Sequence, residues 1–456
     1  MTSKRRISGG QPPHILTEEE RLPLHPSWVL LGFFVALIAV GALLLSSPRA
    51  LAEGESVPFL DALFTAASAG TGTGLVVRDT ASFWSPFGQQ VILALFQLGG
   101  LGTLVGSTIF LLVIARRVSQ EERFLLKEST GVTSVAGILF LIIGITLYVV
   151  AVELVGSYLL APHLPASVPE QDVGWLSFFH AASSFNNAGF AVMDLAKQPP
   201  DPSVQLILGV LGLLGSLSFI IVIDLLTGVF RRTLALDTKL VLAISALLLA
   251  GGAGLILLTE WDNPATLGSL PPAQKALSAF FHSASSRTAG FATTDISAFA
   301  QPALLAIIAL MFIGGASGST AGGVKVNTFG VAIAVTWSFL RGRREVSILG
   351  STVHEEQVYR ALAIGFISLL LVFGFTIALS VTEGADLLGQ LFEVVSAFST
   401  TGFSLDVTPQ LSAAGKVITV CAMLVGRIGP LTLAFVLSQR HRPTRQTYRL
   451  EAVNLG

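Results

Sequence analysis

The sequence predicts an all-α integral membrane protein, with eight transmembrane helices in four pseudo-symmetric helix–pore loop–helix repeats around one pore. Three observations lead there. Of the 456 residues, 52% are hydrophobic and only 12% are charged, where a soluble domain carries about 25% charged residues. Eight apolar stretches reach the roughly 20 residues that a bilayer core of about 30 Å requires. Finally, one small-residue stretch is written four times: Ser68-Ala69-Gly70-Thr71-Gly72-Thr73-Gly74-Leu75, Ser183-Ser184-Phe185-Asn186-Asn187-Ala188-Gly189-Phe190, the one-residue-shorter Ser285-Ser286-Arg287-Thr288-Ala289-Gly290-Phe291, and Ser396-Ala397-Phe398-Ser399-Thr400-Thr401-Gly402-Phe403.

Each copy follows an apolar segment too short to cross: Phe59–Ala67, Trp175–Ala182, Ala276–Ala284 and Leu387–Val395. Such a segment must enter the membrane and turn back. Non-helical backbone at that depth is tolerated only where it is buried in protein or lines water, and four such loops satisfy the rule together around a pore. Their last glycines lie 115, 101 and 112 residues apart, longer than solenoid periods.

In chain order, 1–27 is a polar cytoplasmic N-terminus. Repeat 1 (28–116, pore loop 61–79) has spans Trp28–Ser46 and Gln90–Ala115. Repeat 2 (128–232, pore loop 176–194) has Val135–Leu160 and Val204–Phe230. Repeat 3 (239–341, pore loop 276–295) has Leu240–Leu258 and Pro302–Leu340. Repeat 4 (358–438, pore loop 387–406) has Ala361–Val381 and Lys416–Leu437, and 439–456 is a cytoplasmic C-terminus. Ala50-Leu51-Ala52 has the small-x-small pattern of a signal cleavage site, but the polar leader is long and Trp28–Ser46 is long enough to span. It reads as an uncleaved first span.

The leader and segments 116–127, 231–239, 341–360 and 440–449 hold 19 of the 27 Lys and Arg residues. By the positive-inside rule both termini are cytoplasmic, in a plasma (inner) membrane, and the four loops enter from outside. Arg287, Lys325 and Arg427 fall inside the membrane region. The sixth span is too long for one crossing and is interrupted by Gly314-Gly315-Ala316-Ser317-Gly318-Ser319-Thr320-Ala321-Gly322-Gly323. Glycine costs a helix interior about 1 kcal/mol relative to Ala, so the helix opens over 314–325. This break is expected in one repeat of the four.

A dehydrated cation needs several oxygen dipoles at one radius, and inward-facing carbonyls supply them without a fixed charge in the path. Turning successive carbonyls inward requires angles that a Cβ resists, which gives Gly74, Gly189, Gly290 and Gly402 a common reason. Asp79, Asp194, Asp295 and Asp406 follow the four glycines and would make an outer vestibule negative; loop capping is the alternative reading. A net charge of -1 argues against nucleic acid, and the single Cys421 excludes a disulfide framework and reads as packing. The Gly314–Lys325 segment is not a phosphate loop, because Val324 separates Gly323 from Lys325 and no strand precedes it.

Phe185-Asn186-Asn187-Ala188-Gly189-Phe190, Arg287-Thr288-Ala289-Gly290-Phe291, Gly318-Ser319-Thr320-Ala321-Gly322-Gly323-Val324-Lys325 and Gly426-Arg427-Ile428-Gly429-Pro430-Leu431 resemble the Trk/Ktr/HKT superfamily of potassium transporters, closest to the KtrB-type membrane subunit. The resemblance implies four repeats in one subunit, a homodimer with one pore per protomer, and a cytoplasmic nucleotide-binding ring (RCK/KtrA-like) as regulatory partner. It implies K+ as the transported ion, Na+ as an activator, and no organic cofactor. It places the ion-binding filter at Thr73, Gly74, Asn187, Ala188, Gly189, Thr288, Ala289, Gly290, Thr400, Thr401 and Gly402. It makes Gly314, Gly315, Ser317, Gly318, Ser319, Thr320, Gly322, Gly323 and Lys325 a gate loop under the filter, with Arg427 beside it. Gly74 rather than Ser implies K+ selectivity. Gly70 and Gly72 stand where KtrB-like chains commonly have bulkier residues, which would leave the first wall looser.

The buried charges require partners. Arg427 either anchors on a carboxylate or faces the pore below the filter. Arg287 would block cations if it faced the path, and is expected to pair behind the filter with an acid such as Glu393. Lys325 would hold the gate loop's cytoplasmic end. His180 and His282, in matching Phe-Phe-His contexts, read as pore-helix packing rather than a metal pair, and Glu153 as a buried pair or a functional acid. A secondary transporter using the broken helix for alternating access is the alternative, but that class favours inverted repeats, and these four share one orientation. No nucleophile–base pair suggests an enzyme.

Overall fold

The computed structural model describes residues 26–115, 135–195, 201–231, 233–343, 345–384 and 386–429. Repeat 1 comprises α1 (Pro26–Leu45), pore helix α2 (Phe59–Thr71) and α3 (Pro86–Ala115). In repeat 2, α4 (Val135–Leu160) and pore helix α5 (Glu170–Phe185) precede α6 (Pro202–Gly215) and α7 (Phe219–Arg231). Repeat 3 runs through α8 (Leu236–Glu260), pore helix α9 (Pro272–Ala284), α10 (Gln301–Phe312) and α11 (Val326–Leu340). A two-residue hairpin, β1 (Ser347–Ile348) and β2 (Ser351–Thr352), leads into repeat 4: α12 (Glu355–Thr382), pore helix α13 (Leu387–Ser399) and α14 (Ala413–Ile428).

Among the described residues, five helices are long and apolar enough to cross a membrane singly: α1, α3, α4, α8 and α12. Their outer faces are apolar and bare, as lipid-facing surfaces are. On α12 the residues Phe366, Leu370, Phe373, Ile377 and Val381 recur at helical spacing and all are exposed. The last expected span is seen as α14, which ends before Gly429; its remainder, 430–437, lies outside the described residues, as do both termini.

One expectation is corrected. The Gly314–Gly323 break is not unique, because α6 and α7 form an apolar pair bent by 99°. The bend has two causes. A Cβ on Gly215 would strike the Phe185 carbonyl oxygen, so only glycine permits that approach. Three residues later Ser218 restarts the helix, its Oγ accepting the Ile221 N–H at 3.2 Å. An apolar run of the right length concealed a Gly-Ser-Leu-Ser stop-and-restart signal.

The repeats close on themselves. The helix after each pore loop packs against the pore helix of the next repeat: α3 on α5, α6 on α9, α10 on α13, and α14 back on α2. Aromatic pairs fill two of these seams. Phe96 meets Phe179 edge-on at 5.6 Å between centroids, and Phe312 stacks on Phe398 at 6.5 Å. At the closing seam, buried Asp61 on α2 accepts from Lys416 Nζ of α14 at 2.6 Å and from Arg78 Nε at 3.1 Å. Removing one partner of a buried pair leaves a charge uncompensated, at a cost of about 3 kcal/mol. Asp61→Asn should therefore lower the thermal unfolding midpoint of detergent-solubilised protein by several degrees. Glu356→Gln, which breaks only the exposed Arg360–Glu356 pair, should leave it unchanged.

Candidate functional site

The four pore helices end just before their glycines, and three end identically. Gly72, Asn187 and Thr400 adopt left-handed φ of 63, 52 and 51°. Each sends its N–H three residues back, to Ala69, Ser184 and Ala397, and the next residue sends its N–H five back, to Ser68, Ser183 and Ser396. That pair of bonds is the Schellman stop, and it turns the chain sharply out of the helix. Gly72 thus occupies a left-handed position, where glycine is the unstrained choice; the expectation that it loosens the first wall has no support in this geometry. The third copy, one residue shorter, cannot make the motif. Ser285–Ala289 widens into a π turn, closed by the Gly290 N–H on Ser285 O at 3.1 Å. The side chain of Thr288 lies outside the described residues.

These four ends bring the glycines together. A Cβ built on Gly74 would lie 2.9 Å from the Gly189 Cα; one on Gly189, 3.5 Å from the Gly290 Cα; one on Gly290, 3.3 Å from the Gly402 Cα; one on Gly402, 3.1 Å from the Gly74 Cα. The nearest atom in each case is the carbonyl oxygen preceding the next glycine in the ring: Ala188, Ala289, Thr401 and Thr73 in turn. All four glycines have positive φ, 86, 70, 69 and 97°. The four stretches therefore form one closed ring of backbone, with the partly negative C-terminal ends of four helices directed at it.

Beneath the ring, α10 opens at Ile313 and α11 resumes at Val326. The intervening loop, including Gly314, Gly315, Gly318, Gly322 and Gly323, is buried and fastened from several sides. Ala316 and Thr320 donate backbone N–H groups to the Ser216 and Gly215 carbonyls at the α6–α7 bend, at 2.9 and 3.2 Å. The Thr320 hydroxyl donates to Gly215 O at 2.8 Å and accepts from Asn187 Nδ2 at 2.7 Å, which ties the loop to the second wall. Ser319 closes a turn on Ala316 O, and the Ser317 N–H is held by Asn327 Oδ1. The bend missed in the sequence is thus the loop's dock.

Arg427 is buried and donates to the carbonyls of Thr320 and, at 3.1 Å, Gly99; its anchor is backbone, not a carboxylate. The expected Arg287–Glu393 pair is absent. Arg287 donates to Ser245 Oγ at 3.3 Å and to Gly314 O at 3.2 Å, whereas Glu393 accepts from Ser404 at 2.7 Å and from Thr408. Both carry polar partners within their own surroundings, so neither needs the other. Lys325 folds back on its own loop, its Nζ 2.5 Å from Ala321 O. His180 and His282 are buried, and each bonds through Nδ1 to the carbonyl one turn back, Leu176 at 2.7 Å and Ser278 at 2.8 Å. Among the described residues no group of His, Cys, Asp and Glu could hold a metal.

Asp79, Asp194, Asp295 and Asp406 are all exposed. Asp79 and Asp295 also cap their own loops, accepting from the Ser82 N–H at 2.8 Å and the Ser297 N–H at 2.9 Å. Sequence reasoning missed Gln97 and Asn186, which join Glu153 behind the second wall. A lone amide, Gln97, within the apolar stretch Val91–Leu98 was the available signal.

A family model described as TrkH, cation transport protein, matches residues 28–443. The chain is 38% identical over 436 residues to the Ktr system potassium uptake protein B of Vibrio alginolyticus, covering 94% of this chain and 95% of that one. It is 34% identical over 453 residues to the potassium/sodium uptake protein NtpJ of Enterococcus hirae, covering 97% and 100%. The crystal structure of the potassium transporter TrkH from Vibrio parahaemolyticus shares the fold at TM-score 0.73, with 18% identity and 92% of this chain and 86% of that one covered. With its apolar helices and ring of backbone, this chain belongs to the TrkH family of cation transport proteins, which are membrane transporters and not enzymes.

Proposed function

We propose that this chain takes up potassium ions through the ring of Gly74, Gly189, Gly290 and Gly402. The observation that carries the reading is the closed cycle of approaches between these glycines, with the Thr73, Ala188, Ala289 and Thr401 carbonyls at its seams. Such carbonyls replace a cation's hydration shell. Thr73, Asn187, Ala188, Thr288, Ala289, Thr400 and Thr401 complete the filter, and Asp79, Asp194, Asp295 and Asp406 concentrate cations at its outer mouth. Four repeats of one orientation contribute eight spans, the bent α6–α7 and the interrupted α10–α11 counting once each. Both termini face the cytoplasm.

The loop Gly314–Lys325, fastened through Thr320 to Arg427, Asn187 and the α6–α7 bend, gates the path. Arg427 places a positive charge below the filter, a barrier that a passing cation meets there. Relatives named as a Ktr system potassium uptake protein and as a potassium/sodium uptake protein support potassium as the ion and a response to Na+; a homodimer working with a cytoplasmic nucleotide-binding ring belongs to the same proposal. The driving force is the electrochemical gradient.

Reconstituted in liposomes, the chain should accumulate radioactive rubidium against an imposed potassium gradient, with Na+ competing weakly. A solute-coupled flux with no rubidium uptake would overturn the reading. Gly402→Ser places a side chain against the Thr73 carbonyl at a φ of 97°, and should reduce the preference for K+ over Na+ about tenfold in the same competition assay. Thr320→Val removes the hydroxyl that holds Asn187 and Gly215, and deletion of 317–321 removes the loop's tip. Both should raise the initial rate of rubidium uptake severalfold in protein that remains monodisperse.

A further inference from the structure

The second filter wall is backed by a polar cluster built on an acid from a membrane span, Glu153. Glu153, fully buried on α4, accepts from Asn186 Nδ2 at 2.8 Å through one carboxylate oxygen and from Gln97 Nε2 of α3 at 2.6 Å through the other. Gln97 Oε1 in turn accepts from Asn186 Nδ2 at 2.5 Å. Three side chains from three elements thus form a closed cycle, and both carboxylate oxygens face N–H donors.

An acid inside a membrane span is expensive and calls for a reason. Asn186 stands immediately before Asn187, which holds a left-handed φ of 52°, a conformation that asparagine tolerates better than most residues with a Cβ. Beyond it, the Ala188 carbonyl approaches Gly74 in the ring. The turn is pinned on one side by the Thr320 hydroxyl and on the other by Asn186 in its cycle.

We infer that Glu153 is a positioning residue for ion selection: through Asn186 and Gln97 it fixes the second wall at the radius that distinguishes K+ from Na+. This rests on the reading of the glycine ring as a potassium path. A looser wall lets the carbonyls close around a smaller ion, so the loss falls on discrimination before it falls on flux.

The test exchanges donor and acceptor in the full-length chain, reconstituted in liposomes and assayed for rubidium uptake under Na+ competition. Selective uptake by the unaltered chain tests the potassium reading itself; the variants test only the cluster. Glu153→Gln replaces one of the two acceptor oxygens with an NH2 donor, and Asn186→Asp sets two carboxyl groups face to face. Each should make uptake about tenfold more sensitive to Na+, equivalent to about 1.4 kcal/mol. The pair Glu153→Gln/Asn186→Asp puts an N–H donor opposite a carboxylate again and should recover most of the lost discrimination, a coupling that independent sites do not show.

Unchanged Na+ sensitivity in Glu153→Gln would overturn the inference. So would a double variant no better than the worse single. Should either single variant fail to accumulate, the double decides: folded protein with restored discrimination supports the inference. Folded protein that discriminates poorly, or no folded protein, refutes it.

Discussion

Backbone carbonyls at membrane depth have no water to satisfy them, so an irregular chain there must bond to protein or face a wet path. Every notable feature of this fold follows from placing four such stretches at one level. A pore helix that stops midway exposes its last carbonyls, and three of the four stop in a Schellman turn that uses some and redirects the next ones. The fourth reaches the same point with one residue fewer by widening into a π turn. What recurs through the sequence is therefore the destination of the carbonyls rather than a fixed local conformation. Glycine stands at the ring because neighbouring walls approach to within the space a Cβ would need.

The two helix breaks answer the same constraint. Opening α10–α11 frees donors and acceptors that a straight span would have paired internally. The bend between α6 and α7 opens a complementary set, and the loop's N–H groups from Ala316 and Thr320 land on the carbonyls of Ser216 and Gly215. Neither break is stable in lipid alone, and each supplies what the other lacks. The arginine beneath the ring completes the pattern with two more carbonyls, from Thr320 and Gly99.

The fold class was legible because it rests on signals that act locally: long apolar runs, short apolar runs, and the four Ser-to-Gly stretches. The helix break at Gly314–Gly323 was legible from glycine density. The bend at Ser216–Ser218 was not, because its cause is a close approach to Phe185 from a distant part of the chain, and an apolar run reads as one span. Side-chain partnership was the least legible. Arg287 and Glu393 each invite a charged partner on paper, yet each meets hydroxyls, carbonyls or both. Where backbone carbonyls are left open, as around Gly314, a guanidinium can be satisfied without any acid. The role of Gly72 was misjudged for a related reason: glycine looks loose in a sequence, but in a left-handed position it is the residue that fits.

The ring is nearly symmetric toward the axis and asymmetric behind it. The third residue before each glycine is Thr71, Asn186, Arg287 and Ser399 in turn, and each wall is fastened through that position differently. Thr71 bonds back to Ala67 O at 2.7 Å within its own helix. Asn186 and Arg287 reach out to α4 and α8 through Glu153 and Ser245. Ser399 has no hydrogen-bond partner for its hydroxyl, nor have Thr400 and Thr401. That wall is held by its own helix, where Ser396 Oγ accepts the Gly402 N–H at 3.1 Å, and by contact with the broken helix, where a Cβ on Gly323 would come within 3.2 Å of Ser399. Displacing the loop would thus remove one support of the fourth wall, while the first keeps its own helix and the second keeps its buried cluster. Four copies of one stretch can thus build a nearly symmetric ring and still be held unequally, because the unequal part is carried behind the ring.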